Sequence, residues 1–151
     1  MGNDLYHDAM ARLEAGDVDE GRRLLEEALR RAPDSVEVMH GLGRALELSG
    51  ERTRALELFE RANTRDPSAP APACDLAMLY MEREENDRAE RVLLPVLRAD
   101  PAHSRANLYM GLALMKTEPS RARTYVDKVL EDSDPEIRSQ AVALDRALAG
   151  F

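Results

Sequence analysis

The sequence predicts an all-α fold: a solenoid, or α-α superhelix, of about four helix-turn-helix repeats followed by a C-terminal capping helix. Three observations carry this. Pro33, Pro67, Pro101 and Pro135 stand 34 residues apart, and a fixed period of about that length marks one helical hairpin used repeatedly. Each proline closes a stretch in which apolar, small and charged residues return at the same offsets. Gly16 and Gly50 fall midway through the first two stretches, where a turn between two helices favours a left-handed residue.

The first unit, 2–35, keeps Gly16, Leu25, Ala28 and Pro33, but has Asp8 and Arg12 at apolar positions and Gly21 at a small one. A terminal repeat meets water on its outer side, so such departures are expected there. The second unit, 36–69, is the most regular. Met39 is its first large apolar residue, Leu42 and Gly43 follow as a pair, Ala55 and Ala62 flank Phe59, and Pro67 ends it.

In the third unit, 70–103, Leu76, Ala77, Tyr80, Ala89, Leu93, Val96 and Pro101 repeat those offsets, with Ala73 in the first bulky position. Pro95 lies inside the predicted second helix and should bend or locally adjust it. The fourth unit, 104–135, holds Met110, Gly111 and Leu114, loses one residue in its turn and regains one before Pro135, which aligns Ala122, Val126 and Val129. The last segment, 136–149, sets Ile137, Ala141, Leu144 and Leu148 on one helical face, as a capping helix requires. Asp17, Asp34, Asp87 and Ser104 are expected to cap helix N-termini. Proline breaks a helix because it lacks an N–H and disfavours helical geometry in the residue before it.

The second unit closely resembles the tetratricopeptide repeat, from its Leu42-Gly43 pair to Ala55, Phe59, Ala62 and Pro67, although the opening tryptophan of that family is absent. The resemblance extends over essentially the whole chain. It implies a curved array whose first helices line a concave groove, and it assigns the lining by repeat position. The fifth positions are Tyr6, His40, Cys74 and Leu108; the ninth are Met10, Arg44, Met78 and Leu112; the twelfth are Leu13, Glu47, Met81 and Met115. Asn3, Glu37, Ala71 and Arg105 would form one edge, and Glu14, Leu48, Glu82 and Lys116 the other. The lysines and asparagines with which some co-chaperones of this family clamp a C-terminal carboxylate are replaced here by Tyr6, Met10 and Cys74.

Composition limits the function further. A chain of 151 residues has room for one domain, and 44% hydrophobic with 33% charged residues suits a globular protein. No apolar run reaches the roughly 20 residues of a membrane span. The opening MGNDLYHDAM lacks the basic and apolar regions of a secretory signal, and Tyr6 stands where a myristoylation motif prefers Ser or Thr. A net charge of -8 argues against a nucleic-acid surface. One cysteine, Cys74, excludes an internal disulfide and fits a reducing, cytoplasmic setting.

No residue set suggests catalysis, so the chain is not expected to be an enzyme or to need a cofactor. Gly41-Leu42-Gly43 lacks both the third glycine and the preceding strand of a dinucleotide site. His40 and Cys74 share a repeat position and should adjoin, but zinc takes three or four ligands, and Tyr6 and Leu108 occupy the matching places. No metal site is expected. Methionines and leucines in the groove point instead to capture of apolar side chains of varied shape. The expected function is a non-enzymatic adaptor or scaffold holding a protein segment. Two alternatives are a small acidic chaperone for aggregation-prone or exported clients, and a homo-oligomeric scaffold stacked through Leu5, Leu148 and Phe151.

Overall fold

A computed structural model describes residues 2–150, with Gly2 and Asn3 described only as part of the first helix. Every regular element among the described residues is helical, and the chain divides into two compact units, Met1–Pro67 and Ser68–Phe151. The first unit contains α1 (Gly2–Glu14), α2 (Val18–Arg31), α3 (Val36–Leu48) and α4 (Arg52–Arg65). The second contains α5 (Pro70–Glu82), α6 (Asn86–Ala99), α7 (Ser104–Leu114) and α8 (Pro119–Val126), a 3-10 turn (Asp127–Val129), and α9 (Pro135–Leu148).

In the first unit α1 pairs with α2 and α3 with α4, while α2 packs on α3. The pairing follows from the small residues. A side chain on Gly43 would overlap the Phe59 ring, so glycine lets α3 and α4 close over a phenylalanine that is fully buried. Met39, Leu42, Leu46, Ala55 and Ala62 complete this core as the repeat pattern requires. Asp8 and Arg12, the charged departures in the first repeat, are exposed on α1.

The second unit pairs α5 with α6 and α7 with α8, and α9 lies against both α7 and α8. Gly111 marks where they meet: a Cβ there would stand 2.6 Å from Val126 of α8 and 3.2 Å from Leu144 of α9. Ala122, Val126 and Val129 are all buried, so the shifted alignment of the fourth repeat describes its packing. Helix α6 runs through Pro95 without interruption.

One turn geometry ends the first helix of three successive hairpins. Gly16, Gly50 and Glu84 take positive φ values of 84°, 80° and 61°. Each donates its N–H to the carbonyl three residues back, and the following residue donates to the carbonyl five back: Gly50 to Glu47 at 2.9 Å, Glu51 to Leu46 at 2.8 Å. Glu84 and Glu85 repeat the pair, onto Met81 at 3.0 Å and Tyr80 at 2.9 Å. This is the Schellman arrangement that satisfies a helix's last carbonyls. The acids that open the next helices are then held by an arginine three residues on, Glu51 by Arg54 and Glu85 by Arg88, both at 2.7 Å. Glu118 and Arg121 repeat this pairing in α8 at 2.9 Å.

Helix starts differ from expectation at three of four places. Asp17 caps α2 through the Glu20 amide, but Ser35 rather than Asp34 caps α3, and His103 rather than Ser104 caps α7. The cause is a tight turn after each proline, closed by Ser35 onto Ala32 and by His103 onto Asp100, both at 3.1 Å. It places the cap two residues beyond the proline. Asp87 lies inside α6, whose cap position is Glu85. Pro135 also departs from its periodic role: it is the first residue of α9, preceded by the capping Asp134, because a proline is tolerated where no helical N–H bond is required.

Candidate functional site

The predicted groove residues fall into two groups, one in each unit. On α1 and α3, Tyr6 and Met10 lie over Gly41, whose Cβ position is 3.2 Å from the Tyr6 ring and 3.5 Å from the Met10 sulfur. Burial raises the Tyr6 hydroxyl's pKa, and the Glu37 carboxylate raises it further against the opposing Arg44 guanidinium. Those three side chains therefore share one neighbourhood. His40 turns to the Phe59 ring of its own hairpin, with 5.6 Å between centroids. Glu47 is half-buried and Arg44 exposed. Leu13 departs from the expected wall: it packs on Gly21, 2.7 Å from that residue's Cβ position, and so fills the space between α1 and α2.

In the second unit, α5 and α7 touch directly, which aligns one side of each helix along a common seam. Cys74, Met78 and Met81 follow one another at helical spacing on α5, as do Leu108 and Leu112 on α7, with Met115 just beyond its end. The seam is closed near the helix starts and open near their ends. Cys74 is 1% and Leu108 2% exposed, which corrects their expected place on an accessible wall. Helix α9 packs along α7, and its Ile137 shares with Cys74 a recess of about 460 Å³. Burial raises the Cys74 thiol to about 12, more than the nearby Arg105 lowers it. The sulfur is a protonated core group at neutral pH.

The open end is a recess of about 560 Å³ whose apolar wall is Met78, Met81, Leu112 and Met115. Glu82, Glu84, Asn86 and Lys116 form its polar rim. All four apolar residues are half-buried. The recess can therefore take an apolar side chain while its thioethers adapt to the shape offered. The family resemblance placed the four apolar residues in the expected groove but gave no role to Glu84, although its alignment with Gly16 and Gly50 was the available signal. It also omitted a recess of about 720 Å³ in the first unit, bordered by Met39, Glu57, Glu60, Arg61 and Arg65.

Among the described residues no group of three or more His, Cys, Asp and Glu side chains could hold a metal ion. No described helix is long and apolar enough to cross a membrane. Leu148, expected at an exposed end, is 1% exposed because it belongs to the buried face of α9; Leu5 is half-buried. Phe151 and the Asn3 side chain lie outside the described residues.

Two family descriptions, both of the tetratricopeptide repeat, match residues 8–70 and 48–112. No curated protein matches the chain. Among solved structures, a thermophilic TPR protein of Thermus thermophilus is similar at 22% identity, with TM-score 0.78 over 98% of this chain and 83% of that one. The pilF protein of Pseudomonas aeruginosa is similar at 19% identity, with TM-score 0.82 over 99% of this chain and 69% of that one. An O-GlcNAc transferase from Thermobaculum terrenum is 25% identical with TM-score 0.73, over 89% of this chain but only 26% of the enzyme. These likenesses establish paired helices in a tetratricopeptide arrangement.

Proposed function

We propose that this chain, which belongs to the tetratricopeptide repeat family of protein–protein interaction modules, is a non-enzymatic adaptor that holds a partner's apolar side chain in the methionine recess of α5 and α7. One observation carries the reading. Met78, Met81, Leu112 and Met115 come from two helices yet line a single open recess of about 560 Å³. A recess of that volume falls within the usual range of ligand pockets, about 300–1,000 Å³. A few such anchors set the affinity of a protein interface.

The test is site-specific cross-linking. A photoreactive amino acid in place of Met115 should link to a partner protein, and Met78→Glu should abolish the link while leaving helical circular dichroism unchanged. A link that survives Met78→Glu, or one formed equally from an exposed control position such as Arg123, overturns the reading.

A further inference from the structure

We infer that the segment held in the methionine recess carries a lysine or arginine beside its apolar anchor, and that Glu84 receives that cation. This rests on the recess being a protein-binding site and adds the chemistry of the partner. The rim bears two carboxylates, Glu82 and Glu84, against one ammonium, Lys116. Glu82 is the last residue of α5, at the negative end of that helix's dipole. Lys116 lies just beyond the end of α7, where the same potential offsets a positive charge.

Glu84 is the carboxylate left available. Its neighbour Glu85 is held by Arg88 at 2.7 Å and approached by Arg83 at 3.9 Å. Glu84 has no hydrogen-bond or ion-pair partner for its carboxylate among the described residues. It stands at the recess mouth, directly after the helix that supplies Met78 and Met81. A cation one or two residues from a seated apolar side chain meets complementary charge there, and the net charge of -8 favours approach of a basic segment.

The test uses three fluorescein-labelled peptides that share one leucine-rich core and differ only in flanking residues: lysine, glutamine or glutamate. By fluorescence anisotropy at low salt, the lysine peptide should bind about fivefold more tightly than the glutamine peptide, and the glutamate peptide more weakly. Glu84→Gln should remove most of the lysine preference and leave the glutamine peptide unaffected. Equal affinities, or a preference that survives in Glu84→Gln, overturn the inference; weakening of all three by Met78→Ser would leave the recess reading standing. If no peptide binds, or Met78→Ser changes nothing, that reading falls and the inference with it. A dimer seen by light scattering and dissolved by Met78→Glu also overturns the inference, because the occupant is then a second copy.

Discussion

Glu84 repeats Gly50 one period later: both end a first helix at positive φ, 61° and 80°, and both donate to the carbonyl three residues back, at 3.0 and 2.9 Å. A side chain at that conformation costs about 1–2 kcal/mol, and glycine's extra freedom in the unfolded chain returns part of it. Glu84→Gly should therefore stabilise the protein by roughly 0.5–1 kcal/mol, and Gly50→Ala should destabilise it by about 1 kcal/mol. Urea unfolding followed by circular dichroism reads both. A destabilised Glu84→Gly would show that the Glu84 side chain makes a stabilising contact of its own.

Gly43 and Phe59 form a second testable pair. A methyl group at Gly43 would overlap the aromatic ring, so Gly43→Ala should cost about 2 kcal/mol through overpacking. Phe59→Leu, itself destabilising, should reduce that cost in the double variant. Additive losses in the double-mutant cycle would contradict the contact.

His103 caps α7 by accepting the Ala106 amide at 3.2 Å through Nδ1. Loss of an N-cap costs about 1 kcal/mol, so His103→Ala should lower the thermal midpoint by several degrees. His103→Asp keeps the acceptor, adds a favourable charge at the helix start, and should match or exceed the native midpoint. Equal melting of all three proteins would remove the cap from the account of α7.

The fold was legible because every repeat carries its own local signals, whereas the site was legible only in part. Leu42, Phe59 and Ala62 could be placed in the core from their offsets alone, since a helix has one buried stripe wherever it lies. Whether the end of such a stripe stays open depends on what covers it. Cys74 and Met78 share a stripe on α5, yet only Met78 remains accessible, and the recess that Cys74 borders is completed by Ile137, 63 positions further along the chain (137 minus 74). The helix caps show the same limit. Asp34 and Ser104 are good capping residues, but a backbone turn after each proline decides which residue stands at the helix start.

Cys74 gives a prediction in pH. Burial raises its thiol from 9.0 to about 12, so the folded chain keeps the proton after the unfolded chain has lost it. The contribution to stability is complete below pH 9 and is lost as pH rises toward 12. Tyr6 and Tyr109, also raised by burial, add to the alkaline loss. Native protein at pH 8 should react with Ellman's reagent only as fast as it opens, and Cys74→Ala should flatten the decline in stability above pH 9. Rapid labelling under native conditions would refute the buried, protonated thiol.

Gly111 carries a kinetic consequence. Val126 and Leu144 converge on the same spot of α7, and α8, at eight residues, is too short to persist in water by itself. Neither α8 nor α9 can lift away without exposing the other's seat. Their amide protons should therefore exchange with solvent as one cooperative block, so that the C-terminal end of the chain opens in a single event.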